Sequence, residues 1–216
     1  MNTKTTWTLI VILVVISLGA SVFFSNNMPA TMISHWGTDG QPDGYTSKLS
    51  GLITLPIIMI LLSVLIMVVP NLDPLKRNID AFRPQYNFFV LCFGIFFTYL
   101  HILTLVYNLG VRMEFVSWMM PAMGLFFIAA AGLIGVAKPN YFIGIRTPWT
   151  LSNSIVWEDT HRFGAIAFRI CGILCIVSAF FPRYSIYFVL IPILGTVVAL
   201  YAYSYLRFKQ VSNNVQ

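Results

Sequence analysis

Residues 7–24 read WTLIVILVVISLGASVFF, eighteen positions with no charged side chain. A hydrocarbon core about 30 Å thick takes about 20 apolar residues per helix, so this stretch reads as a membrane span. It is longer than the roughly 7–15 residues of a signal-peptide core, and no A-x-A cleavage pattern follows it, so it is expected to be retained. Working outward, five more runs have the same character, at about 51–70, 88–108, 115–137, 164–182 and 185–206. The 216-residue chain is 58% hydrophobic and only 9% charged, against roughly 25% charged residues in soluble domains. Helices satisfy their own backbone in lipid, whereas a β-barrel would need segments of alternating polarity, which these runs lack. The expectation is an all-α integral membrane protein, a single membrane domain over 1–216 with six transmembrane helices.

Sidedness follows from the basic residues. With both termini cytoplasmic, nine of the 13 Lys and Arg fall in inside segments, three (Lys48, Arg112, Arg183) fall outside, and Arg169 lies within the fifth span. That asymmetry is what the positive-inside rule predicts. The net charge of +6 therefore reports topology, and no direct nucleic-acid partner is expected. On this reading 26–50 is an outer loop, and 71–87 and 138–163 are inner loops.

The outer loop carries MPATMISHWGTDGQPDGYTSKLSG, residues 28–51. Its glycines and prolines mark successive turns. Trp36 and Tyr45 are of the type that anchors at a membrane interface. Asp39 and Asp43 lack the oxygen pattern and closing glutamate of a calcium loop. The inner loop opens with KPNYFIGIRTPWT, a compact turn segment, and continues as LSNSIVWEDTHRFG, which reads as helical. Ser152 or Ser154 could cap that helix. Glu158 and Arg162 stand i,i+4 in the favourable order, as do Trp157 and His161 on another face. If the helix continues, Arg169 lies about 10 Å deeper than Arg162. Such an intramembrane charge is a functional candidate, with snorkelling to the headgroups as its plain alternative. Pro56, Pro121 and Pro192 sit in the outer halves of the even-numbered spans, where kinks could open an outward-facing cavity.

Catalytic and metal patterns are missing. There is no HExxH, GxSxG or phosphate-binding glycine loop. His35, His101 and His161 fall outside, within and inside the membrane, too far apart for one site. Cys92, Cys171 and Cys175 all fall in spans, with no zinc or disulfide spacing. The sequence argues against an enzyme, a metal site or a cofactor.

Two stretches resemble the SdpI family of prokaryotic multipass membrane proteins. HWGTDGQPDGYTSK, residues 35–48, is similar to the family's first outer loop, with its His-Trp pair and Gly-x-Pro-Asp-x-Tyr ending. NYFIGIRTPWTLSNSIVWEDTHRFG, residues 140–164, is similar to its inner-loop signature. The resemblance implies a cell-membrane immunity protein that protects against a secreted, membrane-acting peptide toxin. It also implies a receptor role, in which a toxin-engaged protein holds a cytoplasmic transcriptional repressor at the membrane. The candidate toxin-engaging residues are His35, Trp36, Asp43, Gly44 and Tyr45. The candidate coupling residues are Gly144, Arg146, Thr147, Pro148, Trp149, Trp157, His161 and Arg162. A reading from another class is a small transporter or efflux protein that uses the proline-kinked helices and Arg169.

Overall fold

The computed structural model describes residues 1–213. Six helices are long and apolar enough to cross a membrane. They are α1 (Thr3–Phe24), α2 (Lys48–Leu72), α4 (Arg83–Asn108), α5 (Phe115–Ile134), α7 (Ser154–Ser178) and α8 (Ser185–Asn213). Two short helices, α3 (Lys76–Asp80) and α6 (Pro148–Ser152), lie in the connections. The 28–51 loop is more ordered than a series of turns. Thr31–Trp36 (β1) and Pro42–Ser47 (β2) pair as an antiparallel hairpin, with Ile33 opposite Tyr45 and irregular register around His35. Each strand is short, and the turn between them passes through Gly40 at φ +80°.

Helix boundaries follow side-chain caps. Asn2 accepts from the Thr5 N–H and Ser47 from the Ser50 N–H. Neither Ser152 nor Ser154 caps α7. Asn153 does, its side-chain oxygen accepting from the N–H groups of Ile155 and Val156. The fifth span is one continuous helix that starts ten residues before the apolar run at 164, as the α7 bounds show. The i,i+4 pair expected at Glu158 and Arg162 is replaced by a bridge from Lys138 Nζ to Glu158 Oε1 at 3.4 Å.

The spans pack as two groups of three. Helices α1, α2 and α4 contact one another, as do α5 with α7 and α7 with α8, and α4 against α5 joins the groups. A polar seam ties the first group. Ser17 Oγ donates to Thr98 Oγ1 at 3.3 Å, and Ser21 Oγ donates to the Leu52 carbonyl at 2.7 Å. Ser21 Oγ also lies 2.7 Å from His101 Nε2. Such bonds between spanning helices contribute about 0.6–2 kcal/mol each, a modest gain because separated helices also find partners in the membrane. The second group uses close approach instead. A Cβ added at Gly172 would stand 2.6 Å from the Gly124 carbonyl oxygen, and the reverse substitution meets the Gly172 carbonyl. Only glycines on both helices allow this separation.

Both described ends of the chain lie at one end of the bundle. Asn87 Nδ2, near the start of α4, donates to the Met1 carbonyl at 3.2 Å. Arg207 Nε, near the end of α8, donates to Asp159 Oδ2 at 2.7 Å, near the start of α7. The signature segment 138–153 is at this same end, and the β-hairpin is at the opposite one.

Overpacking a tight core contact costs about 1–3 kcal/mol. Gly172→Ile is therefore expected to lower the melting temperature of the detergent-purified protein, read by size-exclusion after heating. Gly195→Ile on α8, where an added Cβ meets nothing within 4 Å, should leave it unchanged.

Candidate functional sites at the two ends

At the hairpin end, His35 Nδ1 and Asp43 Oδ1 lie 2.5 Å apart across the strands, both side chains largely exposed. Gly44 stands opposite His35, where a Cβ would come within 2.6 Å of the histidine Cβ. Trp36 is not a lipid anchor. Its ring stacks on Phe115 at 3.5 Å and 7°, and Tyr107 meets it edge-on at 5.3 Å. Tyr45 is 63% exposed and stays free to meet another molecule. Asn108, at the end of α4, fixes the hairpin. Its Nδ2 donates to the Ile33 carbonyl at 3.0 Å and its Oδ1 accepts from the Ile33 N–H at 2.8 Å. One side chain thus satisfies both backbone groups of a strand residue, as a neighbouring strand would.

The aromatic stack separates two cavities. One of about 580 Å³ lies beneath the hairpin turn and is lined by His35, Trp36, Asp43, Phe115, Met119 and Met120 among others. None of Pro56, Pro121 and Pro192 lines it, although Leu55 and Met120 beside two of them do. The other, of about 840 Å³, is an open groove bordered by Tyr45, Tyr107, Asn108, Arg112 and Glu114. Of the five candidates from the sequence, His35, Trp36 and Asp43 share one cavity, Tyr45 faces the other, and Gly44 lines neither.

At the opposite end, the segment from Lys138 to Asn153 folds inward against α7. Irregular backbone here needs hydrogen-bond partners from the protein. Asn140 Oδ1 accepts from the N–H groups of Phe142 and Ile143. Its Nδ2 donates to the carbonyls of Lys138 and Ile143. The buried Asp73 carboxylate reaches across from the end of α2 to accept from the Tyr141 N–H at 2.8 Å and the Leu75 N–H at 2.7 Å. Asn78 Nδ2 donates to the Pro139 carbonyl at 2.7 Å. Thr147 and Thr150 form a reciprocal cap at the start of α6.

His161 is the centre of this arrangement. The Ile145 N–H, which can only donate, points at His161 Nε2 at 3.0 Å. Nε2 is therefore the acceptor, and the proton sits on Nδ1, 2.8 Å from the Trp157 carbonyl that accepts it. The indole of Trp157 stacks on the imidazole at 4.0 Å and donates its Nε1–H to the Ala137 carbonyl at 2.7 Å. Trp157 and His161 are 0% and 2% exposed. They are internal struts, not interfacial anchors. Gly144 passes directly over the imidazole at φ +111°, and a Cβ there would collide with His161 Nε2.

The remaining candidates divide by exposure. Thr147 is buried. Trp149 packs on Tyr201 and Tyr205 of α8, and Pro148, Arg146 and Arg162 are exposed. One Arg146 nitrogen donates to the Tyr141 carbonyl at 2.5 Å. Arg169 is exposed on the outer surface of α7, on the face it shares with Arg162, and makes no ion pair among the described residues. The partners Asp73, Asn78, Asn140 and Asn108 were not apparent from sequence. Polar residues bordering apolar runs were the available signal, but each bonds to a segment distant in the chain.

Gly144→Ala forces a side chain into both a disfavoured backbone region and the imidazole. It is expected to raise protease sensitivity or hydrogen exchange over residues 140–147 without unfolding the spans. Gly132→Ala, where an added Cβ meets nothing, should not.

A family model described as the SdpI/YfhL protein family matches residues 136–205, which include the whole inward-folded segment, α7 and most of α8. A second model, a domain of unknown function designated DUF1648, matches residues 12–60, which include the hairpin. The chain is 24% identical over 205 residues to the immunity protein SdpI of Bacillus subtilis (strain 168), covering 94% of this chain and 96% of that protein. No solved structure matches. With the two loop motifs, these matches show a chain similar to the SdpI family over residues 136–205 and to one immunity protein along most of its length, and its six apolar helices are those of a multipass protein of the cell membrane.

Proposed function

We propose that this protein is a membrane immunity protein that guards its cell against a secreted peptide toxin. The carrying observation is similarity to an immunity protein along nearly the whole chain, through both loop-bearing ends. In this reading the chain is one membrane domain with both termini in the cytoplasm, as the distribution of basic residues favours. The hairpin then lies outside, where a toxin arrives. The roughly 580 Å³ cavity under it has aromatic and methionine walls around the exposed His35–Asp43 pair. Methionine and aromatic surfaces suit an apolar peptide side chain, because they adapt in shape and bury large area. Trp36 would form the floor of the site and Tyr45 a contact on its far side. Gly44 would keep the two strands close.

We further infer that the 138–163 segment lies inside and can report toxin engagement to a cytoplasmic partner such as a repressor. Arg146, Pro148 and Arg162 offer the exposed groups for that contact. Gly144, Thr147, Trp157 and His161 hold the segment in shape, and Trp149 ties it to α8. Coupling requires two arrangements of the bundle, each favoured by one ligand. A transporter reading has less support, since Arg169 faces outward from the bundle instead of into it.

The test is survival of a sensitive host that expresses the protein and is challenged with secreted membrane-acting peptides. Trp36→Ala removes the stacked floor of the outer cavity and should cost at least about tenfold in protective dose, since buried aromatic anchors carry about 2 kcal/mol or more of binding. Protein level and melting temperature are measured alongside. Full protection by Trp36→Ala at equal expression would remove the outer cavity from the mechanism. A wild-type protein that protects against no peptide while driving solute flux in vesicles would favour transport.

A further inference from the structure

A third cavity, of about 440 Å³, lies behind the signature segment, between α2, α4, α5 and α7. Its walls include Val69, Phe89, Leu133 and Phe168, and the Phe142–Arg146 backbone closes one end. Phe168 lies about 10 Å beyond His161 along α7, so the cavity runs inward from the level of the segment. Leu65 and Phe142, 56% and 42% exposed, also line it. It therefore opens on the bundle surface that meets lipid. The Tyr86 hydroxyl at its edge is committed to the Ile66 carbonyl.

Arg146 is the one charged residue in this lining. The bond from one of its nitrogens to the Tyr141 carbonyl holds the guanidinium at the mouth. No carboxylate pairs with it among the described residues. A guanidinium has five donors in a planar fork that matches a phosphate, and one bond to a carbonyl leaves most of them available. A fixed cation at the rim of an apolar, membrane-facing slot is complementary to a molecule with an anionic head and a hydrocarbon chain. Free phosphate would gain nothing from the apolar walls, and an uncharged lipid would leave the guanidinium unpaired.

We propose that the signature segment builds a site for one anionic phospholipid, with the phosphate on Arg146 and an acyl chain in the slot between α2, α4, α5 and α7. The site is independent of the immunity reading and would stand if no toxin were found. It gives Arg146 a bilayer contact, and with the lipid bound Arg162 and Pro148 remain the exposed groups for a soluble partner. It also gives the glycine a second purpose, since Gly144 lets the chain turn tightly enough over His161 for the next arginine to reach the rim.

The test is native mass spectrometry of the full-length, delipidated protein supplied with equimolar phosphatidylglycerol and phosphatidylcholine of identical chains. Wild type should retain one phosphatidylglycerol with about tenfold preference, because the choline cation of phosphatidylcholine offsets its phosphate charge and opposes the guanidinium. Arg146→Gln should lose that preference, whereas Arg162→Gln should keep it. Ala130→Phe, which fills the slot from α5 and leaves the arginine in place, should retain neither lipid. Melting temperatures identify any variant that misfolds, and the two arms fail separately. Equal retention of both lipids by wild type, or undiminished preference in Arg146→Gln, would overturn the proposal. Full retention by a folded Ala130→Phe protein would overturn the placement of the chain.

Discussion

Lipid cannot hydrogen-bond to a peptide group, so any backbone that leaves helical form at membrane depth must find partners within the protein. The segment from Lys138 to Asn153, irregular backbone packed against the helix ends, meets the same demand wherever it is shielded from water. Each unmet buried donor or acceptor would cost about 1–3 kcal/mol, and the segment meets them with side chains from three directions. Asp73 comes from the end of α2, Asn140 folds back on its own turn, and His161 rises from α7. The Gly-Ile-Arg stretch is held by the imidazole because the Ile145 N–H requires an acceptor at Nε2. That demand fixes which nitrogen carries the proton, what stacks on the ring, and why residue 144 has no side chain.

The opposite end obeys a looser rule. The hairpin projects from the bundle, where water can satisfy its outer edge. Its order comes from the Asn108 amide on Ile33, the Trp36 ring on Phe115 and the buried Met32 side chain, which packs with Leu52 and Leu105. Cavities survive on either side of that stack. The protein thus has one densely bonded end and one open end, joined by a group of helices bonded through hydroxyls and a group packed through glycines.

Much of this was legible in the sequence, for physical reasons. Span number followed from apolar length alone, since the bilayer sets that length. The helical start of α7 was legible in LSNSIVWEDTHRFG, and only its cap, Asn153 in place of Ser152 or Ser154, was off by one residue. In the helix Glu158 and Arg162 face outward while Trp157, Thr160 and His161 are buried, with Trp157 and His161 bonded to backbone carbonyls, so a mean hydropathy places the start of the apolar run later than the helix. The hairpin was read as turns because its strands do not alternate cleanly in polarity, and only Met32 among the β1 residues is buried. The candidate residues in both loops were visible as motifs. Their partners were not, because Asp73 and Asn108 reach segments 68 and 75 residues away in the chain, and no local spacing encodes that contact. The outward placement of Arg169 was equally beyond the sequence, since helix rotation is set by packing.

The account depends on the two ends facing opposite sides, with the open hairpin outside. The most direct measurement is labelling of single cysteines by a membrane-impermeant maleimide, in a background where Cys92, Cys171 and Cys175 are replaced by alanine. Thr38→Cys in the hairpin turn should be labelled on intact cells, and Tyr141→Cys should be labelled only after the membrane is opened. The reverse pattern, or labelling of both on intact cells, would contradict the placement of the toxin-facing cavity and with it the two-sided mechanism.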